Sequence, residues 1–200
     1  VLSHLNVQKD GVYVDGTIGL GGHSQLILSQ LSAEGRLIGV DRDAESLKIC
    51  KKRFSDYSSS LSLFNKSYNK INSILDSLEI QKVNGILLDL GLSSFQLDSK
   101  DRGFSYKNDC ELDMRFDKSQ KKSAYNIVNN MPEKMLADLI YFNSEEKRSR
   151  AIARKIISMR PINKVFDLVE AIKKSTPPFK RDKTISRVFQ AVRISVNNEL

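Results

Sequence analysis

Apolar and polar residues in the first ninety positions follow two different spacings. Short apolar runs predict four buried strands, at residues 12–15, 36–40, 61–64 and 83–88. Apolar residues at helical spacing predict helices between them, at residues 24–31, 44–54 and 69–78. Strands and helices that alternate at this rhythm indicate βαβ units with right-handed crossovers, so we expect an α/β fold with a parallel sheet.

The pattern changes near residue 90, beyond which residues 91–118 are polar and irregular. From Ser123 onward the apolar spacing is helical, and we expect Ser123 to cap a first helix and Pro132 to open a second. A third helix is expected to begin within 144–146 and to end near residue 157. A fourth begins at residue 163 or 164, and an apolar stripe predicts a fifth, through Ile185, Val188, Phe189, Val192 and Val196.

Three acidic residues stand at the ends of predicted strands. Asp15, Asp41 and Asp89 each follow an apolar run directly. Ligands of open α/β sheets bind outside the carboxyl ends of the strands, so these acids indicate a site there.

The fourth predicted strand is too apolar for the open edge of a sheet. Edge strands usually carry charges or proline that discourage pairing with other chains, and residues 83–88 carry neither. We therefore expect further sheet elements beyond Leu200, which would make the 200 residues a fragment.

Composition adds a charge asymmetry to this picture. The chain has a formal net charge of +8. Residues 1–100 carry 11 Lys+Arg and 11 Asp+Glu, whereas residues 101–200 carry 21 and 13. The basic half indicates a polyanionic partner, and a surface that is merely rich in lysine is the alternative.

Other features of the sequence exclude several classes of protein. No apolar run approaches the roughly 20 residues that span a bilayer, so a membrane protein is not expected. Residues 1–10 lack the basic and apolar segments of a secretory signal. Cys50 and Cys110 are too few for a disulfide framework or a zinc site, and we expect a reducing, cytoplasmic compartment.

A glycine-rich segment, residues 15–23, joins the first strand to the next helix. Its glycines let the backbone turn tightly and approach a ligand closely. The dinucleotide pattern G-x-G-x-x-G is met at Gly19 and Gly21 but has Ser24 in its third position. Asp15 suits a ligand with a positively charged amino group better than a pyrophosphate. Both points favour S-adenosylmethionine over NAD, and a purely structural turn is the alternative.

Two further acids and a histidine are candidates for the same site. Asp41 lies 20 residues beyond Gly21, where a carboxylate can accept ribose hydroxyls, or it pairs with Arg42 as a surface acid. The segment 89–98 places a carboxylate, hydroxyls and an amide across the cleft from the glycine loop, or forms a capped turn. His23 has no second histidine near it in the sequence, so metal catalysis is not expected and a cofactor contact is favoured.

Five cations are candidates for a phosphate-binding surface. Lys147, Arg150 and Arg154 share one face of the third predicted helix, opposite two isoleucines. Arg102 and Arg115 lie outside the helices. The alternative for the helical three is an ordinary solvated face.

Several motifs together resemble those of the bacterial 16S ribosomal RNA cytosine-N4 methyltransferases (RsmH/MraW). They are DGTxGxGGHS at 15–24, EGRLIGVDRD at 34–43, GILLDLGLSSxQLD at 85–98, RGFS at 102–105, LDMR at 112–115 and FQAVRI at 189–194. The motifs are long, occur in order and extend over essentially the whole chain.

The resemblance implies a Rossmann-like class I methyltransferase, dependent on S-adenosylmethionine (SAM), with a helical insertion domain. It assigns residues 1–109 to the SAM-binding core, 110–184 to an insertion that recognises rRNA, and 185–200 to a helix returning to the core. The implied reaction transfers a methyl group to the exocyclic N4 of a cytidine in the 16S rRNA of the small ribosomal subunit. It needs no metal, and neither the motifs nor the composition gives the oligomeric state.

The resemblance also implies a set of site residues. Asp89 is the predicted catalytic acceptor for an N4 hydrogen, with a role in cofactor binding alone as the alternative. The implied cofactor contacts are Gly21, Gly22, His23, Asp41, Tyr68, Asp89 and Gln96. Two other classes stay open at this point, a non-catalytic RNA-binding assembly factor and an NAD-dependent oxidoreductase.

Overall fold

The structure, a computed structural model, describes residues 2–199. Its strands are β1 Val12–Asp15, β2 Arg36–Asp41, β3 Leu61–Asn65 and β4 Gly85–Leu87. Its α-helices are α1 Leu2–Leu5, α2 Gly22–Leu28, α3 Ala44–Arg53, α4 Ile71–Ser77, α5 Ser94–Asp98, α6 Ala124–Asn130, α7 Glu133–Ser144, α8 Ser149–Ser158, α9 Val165–Ser175 and α10 Arg181–Asn197. Short 3-10 helices occupy Ser55–Tyr57, Tyr68–Lys70 and Pro178–Lys180.

The chain divides into two compact units, with the boundary between Ser93 and Ser94. The first unit holds β1 to β4 with α1 to α4, and the second holds α5 to α10. No helix within residues 2–199 is both long and apolar enough to cross a membrane.

The first unit is built on a parallel sheet in the order β3-β2-β1-β4. Val14 of β1 pairs with Ile38 of β2 on one side and with Ile86 of β4 on the other. The chain winds outward from β1 to β3 and then returns to place β4 beside β1. This confirms the expected α/β, Rossmann-like fold. The direction in which the chain adds strands reverses between β1 and β4, and open α/β sheets bind their ligands at such a point.

Both faces of the sheet are covered, because successive strand residues point to opposite sides. Tyr13 and Leu37 face α2 and α3, where Ile27, Cys50 and Phe54 complete one buried cluster. On the other face Val14, Ile38 and Val40 form a second cluster with Ile74 of α4. Each fully buried aliphatic or aromatic side chain here stabilises the unit by about 1.5–3 kcal/mol.

The fourth strand is shorter than the sequence predicts. Its ladder with β1 covers Gly85, Ile86 and Leu87 rather than the whole of 83–88. Ile86 is 48% exposed and Leu88 45%, so the apolar side chains that mark the strand remain open to solvent in the described residues.

The second unit is a helical assembly in which α7 packs against α8 and α10. The expected caps are present: Ser123 forms a capping box with Asn126 at the start of α6, Pro132 precedes α7, and Lys164 precedes α9. The apolar stripe predicted for the last helix is buried on α10.

The predicted start of the third helix is wrong by several residues. Helix α7 continues through Ser144, and Glu145 then takes a left-handed conformation with φ of 54°. The buried Glu146 carboxylate accepts a hydrogen bond from the Arg148 backbone nitrogen at 3.0 Å, which holds a turn. Helix α8 therefore begins at Ser149, and Lys147 lies in the turn before it.

The boundary between the units also differs from the one expected after residue 109. The irregular segment before α6 belongs to the second unit, since Leu112 and Met114 are buried and Asn197 of α10 accepts from the Phe116 backbone nitrogen at 2.8 Å. Helix α10 starts at Arg181, and it packs on α6, α7 and α9.

Candidate cofactor site and basic surface

The glycine loop between β1 and α2 is folded tightly onto the end of β2. The backbone nitrogen of Ile18 donates to the Val40 carbonyl at 3.0 Å, and that of Gly21 donates to the Ile18 carbonyl at 2.7 Å. Gly19 and Gly21 have φ of 51° and 80°, a region that favours glycine. The turn that the sequence predicts is therefore a fixed structure whose shape needs these two glycines.

Asp15 anchors the loop from inside. Its carboxylate accepts from the Thr17 backbone nitrogen at 3.2 Å and from the Ser24 hydroxyl at 2.7 Å, and it is 1% exposed. Burial raises the pKa of Asp15, and its hydrogen bonds with Ser24 and Thr17 oppose that shift. The expectation that Asp15 faces a ligand is wrong: the residue in the third glycine position folds back and covers it.

Asp41 ends β2 and supports the same loop from the opposite side. One carboxylate oxygen accepts from the Gly19 backbone nitrogen at 2.7 Å, and the other from the Asp43 backbone nitrogen at 2.9 Å. Burial raises the pKa of this carboxyl above its ordinary value. Each carboxylate oxygen still has a second lone pair, and the residue is only partly buried, so the group can accept further hydrogen bonds.

The end of β4 is joined to the loop by three contacts. The Gly16 nitrogen donates to the Leu87 carbonyl at 2.9 Å, and the Asp89 nitrogen donates to the Thr17 hydroxyl at 2.7 Å. His23 Nδ1 lies 3.8 Å from an Asp89 carboxylate oxygen, with the two side chains 41% and 67% exposed. The structure therefore places two predicted site residues, His23 and Asp89, side by side.

Two neighbouring glycines of the loop have opposite surroundings. A Cβ placed on Gly21 would lie 2.2 Å from Phe54 Cε2 and 3.2 Å from Cys50 Sγ, so the floor of the loop admits no side chain. A Cβ placed on Gly22 would meet nothing within 4 Å. The backbone at Gly22 is thus open to close approach by a ligand, which fits an adenosine-type cofactor beside the Asp41 carboxylate.

The predicted aromatic contact, Tyr68, also lies near this loop. Its Cβ is 3.2 Å from a Cβ placed on Gly16, in the 3-10 helix that follows β3. Gln96 is on α5 of the second unit and is 5% exposed, and its proposed role toward a cofactor stays a prediction.

Sequence reasoning missed the supports of the loop. Arg53 of α3 donates to the Leu20 carbonyl at 2.9 Å and also bonds the Gln25 side chain, which fixes the outer end of the loop. The Thr17 hydroxyl accepts from the Asp89 backbone nitrogen, and the Ser24 hydroxyl donates to Asp15. Thr17 and Ser24 stand inside the glycine motif and were available from it, whereas nothing around Arg53 in the sequence distinguishes it from its lysine neighbours.

Within residues 2–199 no three His, Cys, Asp or Glu side chains are grouped so as to hold a metal ion.

Two of the five predicted cations are structural instead. Arg102 is 2% exposed, and its guanidinium donates to the carbonyls of Arg115 and Phe116 at 2.9 Å. Arg115 pairs with Asp113 at 2.5 Å and donates to the carbonyls of Lys118 and Gln120. The assignment of Arg102 to a phosphate-binding surface is therefore wrong, and the donors of Arg115 are engaged in shaping its own loop.

The other three cations do lie on the surface. Lys147, Arg150 and Arg154 are exposed, while Ile152 and Ile156 on the far side of α8 are fully buried. Arg154 makes an exposed ion pair with Glu133 at 3.5 Å, an interaction of about 0–1 kcal/mol that leaves the cation available.

Comparison with known proteins places the whole chain in one group. The profile of the MraW methylase family matches residues 1–200. Proteins named ribosomal RNA small subunit methyltransferase H are 48% identical in Clostridium botulinum (strain Kyoto / Type A2), 47% in Thermosipho africanus and 46% in Kosmotoga olearia. All of this chain is covered in each alignment, and it spans 66%, 69% and 68% of those relatives.

Proposed function

Because the chain belongs to the MraW methylase family, we propose that its protein transfers a methyl group from SAM to the exocyclic N4 of a cytidine in 16S rRNA. The printed name of the relatives, ribosomal RNA small subunit methyltransferase H, supports the small ribosomal subunit as the place of the reaction. The cytoplasm is the matching compartment. The observation that carries the proposal is the hydrogen bonding between the glycine loop and the end of β4. It holds Asp89 at the loop, where the backbone at Gly22 is open to a ligand.

The first unit supplies the residues that would hold SAM. Asp41 would accept hydrogen bonds from the ribose hydroxyls, while the backbone of Gly21 and Gly22 and the side chain of His23 would contact the cofactor. Tyr68, in the 3-10 helix after β3, would contact the adenine. Asp15 takes no direct part and preserves the loop that the others need.

Bound SAM supplies a methyl group already activated by its sulfonium, so the protein does not have to activate the donor. The difficult partner is the cytidine N4, whose lone pair is delocalised into the ring. The protein must hold N4 at a near-attack distance of about 3–3.5 Å, in line with the methyl group. The target base must be unpaired or flipped out to reach such a site.

Asp89 is the proposed acceptor for an N4 hydrogen. Its exposed carboxylate would accept that hydrogen bond, which raises the nucleophilicity of N4. It would take the proton as the N–C bond forms and the methyl–sulfur bond breaks, with the neutral thioether as the leaving group. Base assistance of this kind contributes about 10²–10⁴-fold to a rate. Thr17 is a positioning residue, since its hydroxyl accepts a hydrogen bond from the Asp89 backbone nitrogen, and His23 lies 3.8 Å from the carboxylate.

Lys147, Arg150 and Arg154 are the proposed phosphate contacts on the second unit. They are exposed and lie on and before one short helix whose other face is buried, so they can meet a polyanion without disturbing the fold. Arg102 and Arg115 are not included.

The catalytic role of Asp89 is tested with Asp89→Ala in the full-length protein. We expect SAM affinity within a few fold of wild type by calorimetry and a large loss of methyl transfer to isolated small subunits. Wild-type turnover by this variant would contradict the role of Asp89. Titration of the wild type with NAD is the comparison, and binding of NAD without SAM would contradict the whole proposal.

The substrate is tested by mass spectrometry of rRNA nucleosides. A strain without the gene is expected to lose N4-methylated cytidine at one site, and the wild-type gene but not the Asp89→Ala gene is expected to restore it. Unchanged N4-methylcytidine in the deletion strain would refute the proposed reaction.

A further inference from the structure

Two phenylalanines of the second unit are the most exposed large apolar side chains in the described part of the chain. Phe142, near the end of α7, is 76% exposed, and Phe179, in the 3-10 helix before α10, is 82% exposed. Neither stabilises the core, so their exposure needs another reason.

Both phenylalanines lie at the same end of the second unit. Arg148, in the turn between α7 and α8, donates to the Ser175 carbonyl at the end of α9 at 2.7 Å. Glu146 of the same turn accepts from the Thr184 hydroxyl at 3.3 Å and lies 3.5 Å from Arg187, both on α10. These ties hold the α7–α8 turn against the α9–α10 connection, and we call this part of the unit the aromatic end.

A depression of about 340 Å³ opens beside Phe142. Tyr141 and Phe142 line it, with ring centroids 5.5 Å apart and planes at 73°, and the charged residues Glu145, Lys147 and Arg187 complete the lining. The volume falls within the range of about 300–1,000 Å³ typical of small-molecule pockets, so a planar base can enter.

The surroundings are rich in cations. Lys180 Nζ lies 5.5 Å from the Phe179 ring centroid. Lys173 at the end of α9 and Lys183 in the first turn of α10 are exposed nearby in the chain, in addition to Lys147. Of the acids in the α7–α8 turn, Glu146 is buried and paired, which leaves Glu145 as the exposed one.

We propose that the aromatic end binds an unpaired segment of rRNA, with Phe142 and Phe179 stacking on bases and the lysines contacting phosphates. The inference rests on the proposed function and extends it to RNA contacts made by residues of the second unit. Proteins that bind single-stranded nucleic acid combine a positive surface for the backbone with aromatic rings for the bases. A protein partner fits less well, because the cores of protein interfaces are depleted in lysine.

The stacking contacts are tested with Phe142→Ala and Phe179→Ala in the full-length protein. Binding of an end-labelled oligocytidylate is measured by fluorescence anisotropy, and each variant is expected to raise the Kd by about fivefold or more. Phe166→Ala is the matched control, since Phe166 is 48% exposed at the start of α9, away from the aromatic end. Its Kd is expected to equal that of wild type.

The charged contacts are tested by salt dependence. Lys180→Gln with Lys183→Gln is expected to reduce the slope of log K against log salt by about 1.4, because each phosphate that a lysine neutralises on a single strand contributes about 0.7. Lys121→Gln with Lys134→Gln removes the same charge from exposed positions elsewhere in the unit and is expected to leave more of the slope intact.

The outcomes separate this inference from the proposed function. A wild-type protein that methylates small subunits, with phenylalanine variants that keep wild-type Kd for oligocytidylate, overturns the stacking surface alone. A variant defect that is equally large on a fully paired duplex also overturns it, because paired bases cannot stack on the rings. Lack of SAM binding or methyl transfer in the wild type contradicts the proposed function itself. An unchanged far-UV circular dichroism spectrum and an unchanged thermal unfolding midpoint in each variant show that the second unit, which carries the substitutions, retains its fold.

Discussion

Asp15, Asp41 and Asp89 stand in matching positions after three parallel strands, and burial gives each a different role. Asp15 is 1% exposed and bonded only inward, whereas the Asp89 side chain is 67% exposed. Asp41 lies between them, partly buried, with bonds to the loop and capacity for more. One residue type therefore supplies a structural anchor at Asp15 and, in the proposed function, a ligand acceptor at Asp41 and a reactive group at Asp89.

The raised pKa of Asp41 predicts a pH dependence of SAM binding. The ionised carboxylate is the form that accepts both ribose hydroxyls, and burial raises its pKa above 3.8. SAM affinity is therefore expected to fall as the pH drops through this raised pKa, at a higher pH than for an exposed aspartate. Calorimetry across acidic pH measures the effect, with folding followed by circular dichroism.

Asp41→Asn is the control for this dependence. The amide does not titrate, so the variant is expected to bind SAM more weakly at neutral pH and with a flatter profile below it. An acid-side decrease of the same size in the variant would assign the dependence to another group.

The residue types at the site were predictable from the sequence, but their exposure was not. Ser24 occupies the third glycine position of a motif, and only the fold shows that its hydroxyl turns back onto Asp15. Arg102 follows the same rule: its polar surroundings in the sequence predict a surface cation, yet its planar guanidinium satisfies two carbonyls from within the unit. The sequence shows which residues can donate hydrogen bonds, but it does not show which acceptors the fold places next to them.

At the scale of elements, the glycine loop depends on what lies on each of its sides. Arg53 and the Phe54 ring of α3 hold the floor, Asp41 holds one flank, and the end of β4 holds the other. The loop is thus shaped by β2, β4 and α3 together, and its sequence alone does not encode its form.

Alanine at the two adjacent glycines is expected to have opposite effects. Gly21→Ala places a methyl group 2.2 Å from Phe54 in a left-handed backbone, so we expect a lower free energy of unfolding by about 1–3 kcal/mol. Gly22→Ala meets nothing within 4 Å and lies in a helix, so we expect stability equal to wild type or higher by up to about 1 kcal/mol. Chemical denaturation measures both.

Ligand binding separates the two variants further. In Gly22→Ala the added methyl group occupies the space through which a ligand reaches the backbone, so SAM affinity is expected to fall although the fold is intact. A Gly22→Ala protein with wild-type SAM affinity would show that the cofactor does not approach the loop there.

Element types were more predictable than element ends. Spacing in the sequence identified β1 and β2 because both are buried against helices on both faces of the sheet. It identified β3 because the apolar residues of that strand pack, partly buried, against the same two clusters. The start of α8 was missed because Glu145 and Glu146 resemble the first turn of a helix. Their actual roles, a left-handed residue and a buried acceptor, depend on Arg148 and Arg187.

For the whole molecule, the charge follows the division into units. Residues 1–93 carry 10 Lys+Arg and 10 Asp+Glu, and residues 94–200 carry 22 and 14. The neutral unit contains the loop and its acids, and the basic unit contains the α8 surface of Lys147, Arg150 and Arg154. The charge separation was visible in the sequence, whereas the position of the boundary depended on how the irregular segment before α6 folds.

Neutralising the α8 surface is expected to weaken RNA binding alone. Changing Lys147, Arg150 and Arg154 to Gln should lower affinity for an rRNA oligonucleotide and reduce its salt slope by about 2, at about 0.7 for each cation that meets a phosphate. SAM affinity should not change. The control changes Lys48, Lys51 and Lys52 of α3 to Gln, which removes equal charge from exposed positions of the first unit.

The two triple variants distinguish an effect of the α8 surface on RNA binding from an effect of the total charge of the protein. If both weaken RNA binding equally, net charge rather than the α8 surface governs the interaction. A defect confined to the α8 variant supports the proposed surface.

The Cys50 thiol beneath the glycine loop can report how often that loop opens. Cys50 is fully buried under Gly21, and burial raises its pKa to about 11, so a thiol reagent reaches it only while the loop is lifted. In a Cys110→Ser background, the rate of labelling therefore measures how often the loop opens. Bound SAM is expected to slow labelling in proportion to the occupied fraction, which gives a measure of loop motion that does not depend on catalysis.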